Sequence, residues 1–143
     1  MIDVSYEISI GYQGYSIDSQ FKPIVALRIS IGDYYQDTAA LVDSGADYSI
    51  FHADFAEALG LSLNAGRRIP LIGLDGKRHY GYLHSVAIRL LDAPGNWPPI
   101  RAEVIFRQNH PKDVGNLLGR HDFFRALKVG FDERRQKTYL GQA

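Results

Sequence analysis

The chain has 143 residues, 45% of them hydrophobic and 12% aromatic, which is enough apolar material for one compact domain with its own core and too little length for two ordinary ones. Sixteen basic residues balance sixteen acidic ones, so no net field draws the chain to nucleic acid or to an anionic membrane. The absence of cysteine excludes disulfides, thiolate catalysis and cysteine-ligated zinc together.

In chain order, the apolar residues at 2, 4, 6, 8 and 10 have the period of two expected of a half-buried strand. Gly11 and Gly14 then mark a turn, and residues 15–21 are expected to return as its partner. Residues 23–31 and 34–42 read as two strands of a hairpin around Gly32-Asp33. Residues 53–59 are rich in helix formers and end at Gly60, which predicts a helix of about two turns. Asp75-Gly76 is a tight-turn pair between two apolar runs. Residues 83–91 and 100–106 read as strands, separated by a proline-rich loop in which Trp97 is expected to pack locally. A second short helix is expected over 121–127, and residues 128–131 and 137–140 close the chain as strands. The sum is a mainly β, barrel-like or sandwich-like single domain with one or two short helices.

The five histidines show no metal-ligand spacing and read as surface or loop residues, so neither a metal nor a cofactor is expected. No apolar run approaches the roughly 20 residues of a membrane-spanning helix. The opening MIDVSYEISI has no basic segment ahead of an apolar one. A cytoplasmic protein without membrane span or signal peptide is the expectation.

The chemistry points to "ALVDSGADYSIF", residues 40–51. An apolar run ends in Asp43, and Gly45 permits a sharp turn that exposes the carboxylate at the strand end. Ser44 offers a hydroxyl for a local hydrogen bond. Asp, Ser and Gly are also the commonest turn residues, and on these three alone an ordinary turn is the simpler reading.

Asp43-Ser44-Gly45-Ala46-Asp47 after Leu41-Val42, then a glycine-bearing hairpin, then Leu117-Leu118-Gly119-Arg120, resembles in order and spacing the signature of retropepsin-type aspartic proteases. That single-domain family comprises retroviral proteases and their cellular and bacterial relatives. Gly119-Arg120 followed by an apolar helix and Lys128-Val129-Gly130-Phe131-Asp132 looks most like its bacterial members. The likeness covers roughly residues 23–140 and implies a closed, barrel-like acid protease fold over residues 21–143. Residues 1–20 then form an N-terminal extension or extra hairpin.

By the same resemblance Asp43 is the catalytic aspartate, supported by Ser44, Gly45 and Ala46. Ile72, Gly73, Leu74, Asp75 and Gly76 form the flap over the substrate, although the charged Asp75 departs from the glycine-rich retroviral flap. A plain hairpin is the other reading of that stretch. Asp47 is implied to pair with Arg120; if that pair is buried, removing either partner should cost about 3–5 kcal/mol.

Hydrolysis by aspartates needs two carboxylates sharing one proton, and the chain holds one Asp-Ser-Gly. The second carboxylate must then come from another copy, which predicts a two-fold homodimer acting on extended polypeptide. Two other readings compete: a catalytically idle, dimeric peptide-binding or regulatory module on the same fold, and a metal-dependent or sugar-cleaving site made of Asp43 and Asp47.

Overall fold

The computed structural model describes residues 5–14, 20–72, 76–111 and 114–143. Along the described chain run β1 (Ile8–Gly11), β2 (Gln13–Gly14), β3 (Phe21–Lys22), β4 (Ile24–Ile31), β5 (Tyr34–Val42), β6 (Ile50–His52), α1 (Asp54–Ala58), β7 (Arg67–Ile72), β8 (Arg78–Leu90), β9 (Ile100–Arg107), β10 (Asn116–Leu118), α2 (Phe123–Ala126), β11 (Leu127–Asp132) and β12 (Lys137–Gln142). No helix among the described residues is long and apolar enough to cross a membrane.

Alternation in β4 sends Val25, Leu27 and Ile29 inward, and β8 and β9 answer with Val86, Ile88, Val104 and Phe106, all of them buried. Each such side chain contributes about 1.5–3 kcal/mol on burial. The strands β4, β5, β10, β6, β9 and β8 are hydrogen-bonded in that order, and β4 also pairs with β8. These six close into a barrel around the core, and β7 is added to the outer edge of β8. The mainly β, closed-barrel expectation matches this architecture, as does the β4–β5 hairpin.

The first helix also falls where the sequence puts it, with Ala53 and Leu59 as its caps and Gly60 just beyond at φ +70°. That left-handed conformation suits glycine at the end of a helix, and the Tyr34 ring lies against the space a side chain there would take.

Three features differ from the sequence reading. Two strands at the centre of the sheet, β6 and β10, are three residues long and lie in parallel pairs, β10 with β5 and β6 with β9. The expected helix over 121–127 shortens to four residues, because Asp122 takes the N-cap and Leu127 is already extended. Near the N-terminus, Ile8–Gly11 pairs with β12 in a three-stranded sheet with β11, while Gln13–Gly14 pairs with Phe21–Lys22. Most of the return strand expected at 15–21 lies outside the described residues.

Trp97 is buried and fastens this terminal sheet: its Nε1–H donates to Glu7 Oε2 at 3.1 Å, and Glu7 Oε1 accepts from the Gln142 N–H at 3.0 Å. On the opposite flank His52 and His110 meet edge to face at 4.3 Å between ring centres. They donate to the carbonyls of Val114 and Gly115, each at 3.1 Å, and so tie the segment entering β10 to β6.

Candidate active site

Asp43 is the residue that follows β5. It is half-buried, and its N–H donates to the Leu118 carbonyl at 3.0 Å, continuing the parallel pairing of β5 with β10. Its Oδ1 accepts the Gly45 N–H at 2.9 Å, and its own carbonyl accepts the Ala46 N–H at 3.2 Å. The loop thus folds back on the carboxylate as an Asx-turn. Oδ2 takes no hydrogen bond from the described residues.

The segment from Leu118 to His121 closes over this loop. Besides the bond from Asp43, the Arg120 N–H donates to the Ala46 carbonyl and the His121 N–H to the Asp47 carbonyl, both at 2.8 Å. Gly119 makes the approach possible, since a Cβ there would lie 2.5 Å from the Tyr48 carbonyl carbon and oxygen. Its N–H donates to Ser49 Oγ at 3.0 Å.

The two halves of the motif therefore meet, but through main chain. The side chains of Asp47 and Arg120 are both exposed, and no ion pair joins them among the described residues. The penalty expected for breaking a buried pair does not apply to them.

Ser49 and Asp122 are residues whose part in this site the sequence reading missed. Ser49 is fully buried and its hydroxyl donates to Asp122 Oδ1 at 2.9 Å; the same oxygen accepts the Phe123 N–H at 2.7 Å. Burial pushes the Asp122 carboxyl above the ordinary carboxylate range, against the downward pull of the Ser49 and Phe123 hydrogen bonds. Its Oδ2 is buried without a hydrogen-bond partner among the described residues. A signal for Asp122 existed in the sequence: an Asp just ahead of Phe-Phe-Arg-Ala is a helix N-cap pattern. Ser49 lies in an apolar context with nothing to mark it.

Of the flap residues, Ile72 ends β7 with 84% of its surface exposed, and Gly76 stands just before β8 at φ +72°. Gly73, Leu74 and Asp75 lie outside the described residues. Among the described residues β7 pairs only with β8, so its other edge has no strand partner there.

A cleft of about 830 Å³ lies between the turn after β4, the middle of β8, the start of β9 and α2; His121 and Asp122 are among its walls and Asp43 is not. No group of three or more His, Asp or Glu among the described residues is placed to hold a metal ion.

A family model described as "Aspartyl protease" matches residues 27–121, a span that contains both Asp43 and Gly119. No curated protein matches the chain. Among solved structures, a retropepsin-like aspartic protease from Rickettsia conorii is similar over 100% of this chain and 98% of its own, with a TM-score of 0.61 at 15% identity. The retroviral protease-like domain of Ddi1 from Leishmania major is similar over 84% of this chain and 94% of its own, with a TM-score of 0.53 at 16% identity. At these identities the likeness is one of fold: the barrel is that of the retropepsin-like proteins.

Proposed function

Because the chain belongs to the aspartyl protease family, we propose that it is an aspartic endopeptidase whose reacting pair is Asp43 and the Asp43 of a second copy, facing each other across a two-fold axis. The observation that carries the reading is the construction of the Asp43 loop: a half-buried carboxylate at a strand end, with one oxygen unbonded among the described residues, in a loop clamped by main-chain hydrogen bonds. One such carboxylate per chain is half of the required pair.

Two carboxylates at hydrogen-bond distance cannot both ionise, so the pair would hold one proton between them. The ionised member takes a proton from a water molecule. The protonated member donates to the carbonyl oxygen of the peptide as the water adds. Holding water and peptide between two fixed groups supplies the remaining advantage, by orientation.

The substrate is an extended polypeptide. The edge of β7 that has no strand partner among the described residues offers main-chain groups for it to join as an added strand, and the hairpin end bearing Ile72 and residues 73–76 would cover it.

Asp43→Asn removes the ionisable group and keeps its size. The expected outcome is a folded protein of unchanged thermal stability whose cleavage of unfolded polypeptide at mildly acidic pH drops about 10²–10⁴-fold. Cleavage retained by this variant would overturn the proposal. Undiminished peptide binding by a wild-type protein that never turns over would establish an idle binding module instead.

A further inference from the structure

We infer that Ser49 and Asp122 are a positioning pair for Asp43, acting through the single peptide plane between Leu118 and Gly119; the inference rests on reading Asp43 as the reacting carboxylate. The carbonyl of that peptide accepts the Asp43 N–H at 3.0 Å. Its N–H, belonging to Gly119, donates to Ser49 Oγ at 3.0 Å. A peptide unit is rigid and planar, so any tilt of this one strains both bonds together. Whatever orients the Gly119 N–H thereby orients the acceptor on which the Asp43 backbone hangs.

Ser49 does the orienting because Asp122 leaves its hydroxyl one arrangement. A hydroxyl has one proton and two lone pairs. Asp122 Oδ1, at 2.9 Å, takes the proton, and a lone pair is left for the Gly119 N–H. Asp122 is held in turn by the Phe123 N–H at 2.7 Å.

Ser49 is 0% exposed, so water does not substitute at its hydroxyl, and in so dry a setting an oriented hydrogen bond is strengthened. Sterics confine the plane from a further side, since the Tyr48 carbonyl fills the space where a Gly119 side chain would stand. The main-chain bonds from Arg120 and His121 bring the two segments together. The Ser49–Asp122 pair sets the angle at which they meet.

The test uses Ser49→Ala, Asp122→Ala and Asp122→Asn in the full chain. Amide hydrogen exchange is followed at Asp43, with Ile88 and Val104 in the barrel wall as internal references, and kcat and KM are measured on a peptide substrate across pH. Both alanine variants are expected to speed exchange at Asp43 about tenfold beyond any change at the references, the size of one lost hydrogen bond. They should lower kcat by a similar factor with KM within about twofold, because the groups that hold substrate are untouched. Asp122→Asn keeps an oxygen for Ser49 and Phe123, and should recover most of the wild-type exchange rate and kcat.

Exchange at Asp43 that merely tracks Ile88 and Val104 in both alanine variants would overturn the inference, as would an unchanged kcat. Should Asp122→Ala fail to fold, Ser49→Ala, which removes a single oxygen atom, decides the matter. A wild-type protein that cuts no peptide refutes the protease reading alone, and hydrogen exchange still answers for the positioning pair.

Discussion

The loop that carries Asp43 and the end of the hairpin formed by β7 and β8 are built on opposite terms. Four hydrogen bonds join residues 43–49 to residues 118–121, and a buried Ser–Asp pair stands behind them. At the hairpin, β7 has a strand neighbour on one side only among the described residues, and Ile72 at its end is 84% exposed. On the proposed function the difference matches what each would do: a reacting carboxylate loses its effect when displaced by about an ångström, whereas a cover over an extended chain would have to part to admit it.

The contrast is broken most severely at Gly119. Gly119→Ala sets a methyl group 2.5 Å from the Tyr48 main chain, which neither segment yields without separating. The expected cost is about 3 kcal/mol or more of unfolding free energy in denaturant titration, with loss of cleavage. A variant of wild-type stability would mean that the clamp is looser than the fold implies.

A second probe is pH. The folded Asp122 carboxyl lies above its unfolded value, so the folded state holds a proton there that the unfolded chain has released. Its contribution to stability is complete below the unfolded value and is lost as pH rises through the folded one. The apparent stability of Asp122→Asn should therefore vary less with pH over that window than that of the wild type, measured by urea titration at a series of pH values. His110 has the opposite sign: burial lowers its pKa first, helped by the neighbouring His52 and Arg107 and opposed by the bonds to Gly115 and Val114. Its share is present above the unfolded value and is lost as pH falls below it.

Ile72→Ser tests the hairpin. An exposed side chain contributes little to folding, so stability should move by less than about 0.5 kcal/mol. If the hairpin closes on substrate, KM should rise by roughly tenfold as one apolar contact is lost. An unchanged KM would make it a plain hairpin.

The smallest effect is expected where the family pattern suggests a large one. Asp47→Ala and Arg120→Ala should each cost less than about 1 kcal/mol in a denaturant titration of the single chain, because both side chains are exposed and main chain holds their segments together. A loss of about 3–5 kcal/mol would show that the two charges are buried against each other in solution.

Much of this was legible along the chain. Period-two alternation is a local property, and β4, β5 and β9 lie close to where it puts them, while β8 starts at Arg78, ahead of the expected 83; the helix ending at Gly60 was equally local. The motif around Asp43 was readable because its turn is made by adjacent residues. The strands β6 and β10 were not, being too short for any period to register, and their parallel partners lie far off in sequence. The Asp47–Arg120 expectation matched the right segments to the wrong atoms: residue types indicate charge, whereas main-chain carbonyls and amides are the same at every position.

By itself, then, the sequence determined a β architecture and a strand that runs up to Asp43 with a glycine turn behind it, since each of these depends on residues within a few positions of one another. Only the tertiary structure decided that the Leu118–Gly119 peptide receives Asp43 on one side and Ser49 on the other, with Asp122 behind them. Those contacts join distant parts of the chain through buried polar atoms. Their partners are set by how the barrel closes, because a buried donor must take the acceptor that the fold brings within reach.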